Sequence, residues 1–247
     1  MTNRVLLNNV EHRDLRVDTR HSVQFGDAIN QALVFPTEFE DLQREYPILF
    51  RRDADDSFQA VALLGLDRDE NLFLDDDGWQ ARYVPAVQRC GPFSIGLHKV
   101  QDDGAPEPKI QVDLDHPRIA MDEGERLFLP HGGNSPYLEA VSGVLRRIYG
   151  GLDMVGPMFA AFDRASLLRP VTLNIALNDA ESYSLADFHA IDEARLAGLE
   201  GPELERLHKA GGFLRLAFMA AASLANVGRL IELKNRRAAS SQTLSLD

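Results

Sequence analysis

The stretch Val61–Gly96, VALLGLDRDENLFLDDDGWQARYVPAVQRCGPFSIG, is the densest run of strand formers and turn signals in the chain. Gln59–Leu66 and Leu72–Leu74 read as strands, bounded by polar, turn-prone residues. Asp75-Asp76-Asp77-Gly78 comes next, and Asp-Gly marks a hairpin because glycine accepts positive φ. The returning strand is expected over Trp79–Val84, with Pro85 ending it. On such a strand Trp79 and Tyr83 share one face. They form either a stacking platform for a ligand or an aromatic pair in the core.

Working outward, Gln31–Phe35 is a short apolar strand that stops at Pro36. Thr37 caps a brief helix through Leu42, whose acidic first turn suits the helix dipole, and Pro47 stops that helix. Phe93–Val100 and Lys109–Leu114 read as a second strand pair, joined by the turn-rich Gln101–Pro108. Residues 1–22 are weakly patterned and read as an extended arm.

Beyond about residue 130 helical signals take over. Ser135 with Pro136 is a favoured start, and LEAVSGVLRRIYGG gives one helix. Met154–Leu168 gives a second, with Gly150-Gly151 as the break. Val171–Leu177 alternates as a strand, and Phe188–Asp192 is strand-like. Short helices are expected over Ala194–Leu199 and Pro202–His208. A long final helix, Gly212–Arg236, carries Phe213, Leu216, Ala217, Ala220, Leu224, Val227 and Ile231 as one apolar stripe. The Ser-rich tail 238–247 reads as disordered. Together these predict an α+β fold: a mainly antiparallel sheet from the N-terminal half, with helices segregated to the C-terminal half. The domain reading is a single unit over 23–237, with room for a subdomain division near 130.

The 247 residues carry 26 Lys and Arg against 38 Asp and Glu, a net charge of −12. That balance argues against nucleic acid or an anionic membrane as partner. Cys90 is the single cysteine, which removes any intramolecular disulfide and argues against a Cys-based zinc site. The opening MTNRVLLNNVEHRD has no signal-peptide apolar core, and Leu216–Gly228, the longest uncharged apolar run, is short for a bilayer. The expectation is a cytoplasmic protein with no membrane insertion.

The 61–96 pattern of LLGL, ENLF, a turn, Gly78 and Trp79, Tyr83-x-Pro85-Ala86-x-x-Arg89 and Pro92-Phe93 resembles the SapC family of bacterial proteins, named after a gene of a surface-layer system. Pro36, Glu38-Phe39 and Tyr46-Pro47-Ile48 also match, as do Ile191-Asp192-Glu193, Leu196 and Leu199. The likeness runs from about Leu33 to Leu230. Related proteins read Arg-Arg-Tyr-Pro-Phe where this chain has Gln88-Arg89-Cys90-Gly91-Pro92-Phe93. Members lie beside genes for outer-membrane receptors and flavin-dependent tryptophan-halogenase-like enzymes. The resemblance therefore implies an accessory or binding protein serving uptake or tailoring of a peptide or small molecule; the family name suggests a surface-layer role as a further alternative.

No nucleotide-binding glycine loop, nucleophile elbow, HExxH or CxxC motif occurs. His131-Gly132-Gly133 reads as a turn, and Asp67-x-Asp69-x-Asn71 lacks the glycine and glutamate of a calcium loop. Arg89 is a candidate grip for a carboxylate or phosphate, with a structural ion pair as its alternative. The candidate ligand-binding residues are Arg89, Trp79 and Tyr83. No catalytic residue, cofactor or resident metal is assigned, and the final helix offers a face for self-association. The competing expectation is a metal-dependent oxygenase or peptide-modifying enzyme, its ligands drawn from His98, Asp113, Asp115, His116 and His131.

Overall fold

The computed structural model describes residues 3–98, 107–177 and 181–244. It is an α+β protein with 38% helix and 27% strand; antiparallel sheets dominate the N-terminal half and helices the C-terminal half. Two compact units divide the chain, Met1–Asp27 with Ala86–Tyr149, and Ala28–Pro85 with Gly150–Asp247.

In the first unit, the N-terminal segment expected as an arm is built into sheets. Arg4–Leu6 pairs antiparallel with Glu107–Asp113, which in turn pairs with Phe93–His98. Arg16–Val17 lies between Ile119–Ala120 and Glu125–Arg126. The helix Pro136–Arg164 begins here, where Ser135 Oγ accepts the Leu138 N–H at 3.1 Å, the cap that the Ser-Pro pair signals. Leu138, Val141 and Leu145 from that helix meet Val17, Cys90, Phe93, Val112 and Leu127 in one buried cluster. Cys90 is thus a buried thiol in packing contact with the core.

The second unit is organised on a five-stranded antiparallel sheet. Its strands run in the order Leu168–Ala176, Ser182–Ile191, Ile48–Arg52, Phe58–Leu63 and Gln31–Val34. A C-terminal hairpin therefore completes a sheet begun in the N-terminal half. Its core takes Phe50, Leu49 and Val61 from the strands and Met158, Phe159 and Phe162 from the long helix, with Phe213, Leu216 and Ala217 from a later one.

Three further expectations change. Gly150-Gly151 does not break the helix, which is continuous from Pro136 to Arg164. Gly151 is there for space: a Cβ would stand 2.6 Å from Phe35 Cβ and 2.8 Å from Thr37 Oγ1. The final helix, by contrast, is broken into Phe213–Ser223, a 3₁₀ turn at Leu224–Asn226, and Val227–Leu244. Ser223 Oγ accepts the Ile48 N–H at 2.8 Å, and Asn226 Nδ2 donates to the Gln43 and Tyr46 carbonyls. These side chains bind backbone elsewhere at the turn, and the apolar stripe resumes one residue out of step, with Leu230 fully buried rather than Ile231. Phe213–Ala239 is long and apolar enough by composition to cross a membrane, yet Phe213, Leu216, Ala217, Ala220, Ala221 and Leu230 are buried in the core. Finally, the segment from Ala238 to Leu244 continues the helix instead of leaving it. Residues 245–247 and the connection 99–106 lie outside the described residues.

Candidate functional site

The expected hairpin is present but shorter: Leu74–Asp75 pairs with Gly78–Trp79, and the strand ends there rather than at Val84. The cause is Glu45, whose Oε2 takes the Arg82 and Tyr83 N–H groups at 2.9 and 3.1 Å in place of a strand partner. Trp79 and Tyr83 still meet, though not as a stacked face. Trp79 Nε1 donates to Tyr46 Oη at 2.8 Å, and Tyr46 Oη donates to the Tyr83 carbonyl at 2.5 Å. Tyr83 Oη donates to Glu38 Oε1 at 2.9 Å, while Glu38 Oε2 accepts the Phe35 N–H. Arg229 lies 3.2 Å from Glu45 Oε1, and its guanidinium stands over Phe73. Burial pushes the Tyr46 phenol well above the ordinary tyrosine range, so it stays protonated and keeps donating. Trp79 and Tyr83 are therefore fixed inside a satisfied hydrogen-bond network. Tyr46→Phe removes the acceptor of the Trp79 N–H and the hydroxyl donor to the Tyr83 carbonyl, and is expected to cost about 1–3 kcal/mol. Urea unfolding followed by Trp79 fluorescence measures it; an unchanged midpoint would remove the network from the stability account.

The surface beside this network, lined by Asp41, Arg44, Glu45, Arg82, Tyr83 and Arg229, is mixed in sign. The pseudo-calcium loop is also occupied by its own partners. Lys234 Nζ lies 2.5 Å from Asp67 Oδ2 and 2.7 Å from Glu70 Oε1, and Asn71 Oδ1 accepts the Phe73 N–H.

Of the candidate metal ligands, Asp113, Asp115 and His116 share one turn and are used within it. Asp113 Oδ1 accepts the Asn3 and Asp115 N–H groups, and His116 Nδ1 accepts the Arg118 N–H at 3.1 Å. Burial, then the Arg118 charge, holds the His116 imidazole below its usual range. Asp115 is exposed, and His131 is exposed in the Leu129–Gly133 turn. The His98 side chain lies outside the described residues. Among the described residues no three of His, Cys, Asp or Glu converge as a metal site.

Arg89 behaves differently. It sits in the last turn of Ala86–Cys90, exposed, and it has no hydrogen bond or ion pair among the described residues. It borders a cleft of about 220 Å³ within the first unit. Thr19, His21, Gln88, Arg118 and Tyr137 supply the other polar groups, and Ala140, Val141 and Val144 an apolar wall.

The cleft floor is built around Arg118, whose side chain is only 5% exposed. Its Nη2 donates to Asp27 Oδ2 at 2.7 Å, and its Nη1 to the Asp18 carbonyl at 3.1 Å and to the Arg20 carbonyl. Asp27 Oδ2 also accepts the Ser22 N–H, and His21 Nδ1 lies 3.2 Å away. Phe25 covers the guanidinium at 4.6 Å. Gly91 turns the chain at φ +52°, and a Cβ there would meet Arg118 Cδ at 3.2 Å. This glycine, which interrupts the Arg-Arg-Tyr-Pro-Phe pattern, therefore lies directly against the Arg118 stem.

Of the expected binding residues, then, Arg89 lines an open cleft in the first unit, whereas Trp79 and Tyr83, both half-buried, belong to a hydrogen-bond network in the second. Arg118, Asp27, His21 and Tyr137 were not singled out from sequence. Arg118 and Asp27 stand 91 positions apart, so no local spacing connects them. The recoverable signal was Tyr137, Ala140, Val141 and Val144, which recur at helical spacing and make one face. Neither the curated proteins nor the solved structures contain a match to this chain. The family model described as SapC matches residues 7–230 of the 247. With that match spanning most of its length, the chain belongs to the SapC family.

Proposed function

We propose that the protein is a non-catalytic, cytoplasmic accessory or binding protein that serves uptake or tailoring of a peptide or small molecule. The observation that carries this reading is where the polar side chains are spent. Glu38, Glu45, Tyr46, Trp79 and Tyr83 hold one another, and Asp113 and His116 hold their own turns. The uncommitted Arg89 instead borders an open cleft with an apolar wall. An arginine is a permanent cation and a poor proton shuttle, which suits recognition better than acid–base chemistry.

The test is native purification of the tagged full chain from its host, with partners and small molecules identified by mass spectrometry and metals assayed in the same sample. A reproducible protein or small-molecule partner supports the reading. Isolation with nothing bound, or with a stoichiometric redox metal or organic cofactor, overturns it.

A further inference from the structure

We propose that the Arg89 cleft recognises a monoanionic carboxylate attached to a compact apolar group. The carboxylate docks on Arg89, and the apolar part lies on the helix face of Ala140, Val141 and Val144. The proposal rests on the binding reading above and names the class of ligand.

The first support is sign. The chain has 38 acidic residues against 26 basic ones, yet neither an aspartate nor a glutamate lines this cleft, which two arginines border. The nearest carboxylate described, that of Asp27, is taken up by Arg118, and a concave surface with no carboxylate in its lining is attractive to an anion.

The second is charge count. Arg118 is buried against Asp27, also buried, so that pair carries no net charge. Arg89 remains as the uncommitted arginine, and one positive charge matches a carboxylate better than a doubly charged phosphate. Its planar fork of N–H groups fits two carboxylate oxygens side by side.

The third is donor supply. Thr19, Gln88 and the Tyr137 hydroxyl make no hydrogen bond among the described residues, and Arg118 keeps its Nε–H unassigned while its Nη atoms are used. Burial pushes the Tyr137 phenol up to about 12, which keeps it a neutral donor across the physiological range. The lining thus combines these donors with the apolar helix residues Ala140, Val141 and Val144, the mixture that a carboxylate with an apolar group needs.

A free organic acid and the C-terminus of a peptide ending in an apolar residue present this same chemistry. Phenylacetate and N-acetylphenylalanine represent the two sources, with phenylacetamide and N-acetylphenylalaninamide as uncharged counterparts. Each is titrated calorimetrically into the full chain, alongside inorganic phosphate. Saturable binding of at least one acid is expected, weakened roughly ten- to hundredfold by amidation or by Arg89→Gln. Tyr137→Phe should weaken it by a smaller factor. Which acid binds more tightly identifies the source. Arg89 is exposed, so Arg89→Gln should keep the native circular dichroism and report binding alone.

The proposal is overturned if neither acid saturates, if the amides bind as well as the acids, if Arg89→Gln binds like the parent, or if phosphate binds more tightly. Partner capture from the host that survives alongside any of these results removes only the ligand class. Loss of both removes the binding function as well.

Discussion

Asp27→Ala is expected to destabilise the first unit by about 3–5 kcal/mol, because it leaves the Arg118 guanidinium buried without its counter-charge. Side-chain exposure is 5% for Arg118 and 3% for Asp27, so water cannot replace the lost carboxylate without opening the structure. The substitution also removes the acceptor for the Ser22 N–H. A domain has only about 5–15 kcal/mol in hand, so this is a large share of its stability. Amide hydrogen exchange resolved by segment should show lost protection across residues 1–27 and 86–149. Asp27→Asn keeps the shape and an acceptor oxygen, and should lose less. The double substitution Asp27→Leu with Arg118→Met removes both charges, and should recover much of the single-variant loss, since replacing a buried pair by apolar groups is often nearly neutral. If Asp27→Ala is as stable as the parent, the pair is not the support of the cleft floor. If the double variant is no better than the single, the loss comes from packing and the lost Ser22 bond rather than from an unpaired charge.

That pair also shows why the site was only partly legible. Arg89 could be picked out because an arginine beside a strand end can grip an anion bidentately, and that setting is decided by the adjacent residues Gln88 to Phe93. The group beneath it depends on two residues 91 positions apart, one after Gly26 and one after Pro117, and neither segment signals the other. The fold divides along the same line. The hairpin at Asp75–Gly78, the strand pair around Phe93 and Lys109, and the Ser135 cap were readable because each is decided by a few neighbouring residues. The glycine pair at 150–151 misled because a glycine weakens a helix by only about 1 kcal/mol, and Gly151 makes room for Phe35 and Thr37 while Gly150 faces open space. The turn at Leu224–Asn226 was hidden for the same reason: Ser223 acts on Ile48, 175 residues earlier. The Trp79 and Tyr83 pair was read from alternation, and alternation fails where a distant glutamate captures the backbone.

Phe50→Ala should be the most damaging single truncation in the second unit, costing about 3–5 kcal/mol. Phe50 is fully buried in the strand Ile48–Arg52, with Ala60 directly across on one neighbouring strand and His189 on the other. Its ring stands 5.2 Å edge-on to Phe159 and 6.1 Å from Phe162. Such contacts add about 0.5–1.5 kcal/mol beyond the buried area. Collapse around the missing ring is unfavourable on two counts. Ala60 is too small to fill the space, and Phe159 is already stacked on Phe58 at 5.3 Å, so moving it breaks another contact. An apolar void should therefore persist, and the cost should approach the upper part of the range. Phe50→Leu keeps most of the volume and should lose markedly less. Trp79, the single tryptophan, lies in this unit, so urea unfolding followed by its fluorescence reads the loss directly. A loss below about 1.5 kcal/mol for Phe50→Ala would mean that the core closes over the gap. The triad of Phe50, Phe159 and Phe162 would then be a set of interchangeable fillers, and the helix Pro136–Arg164 would be fixed to the sheet by other contacts.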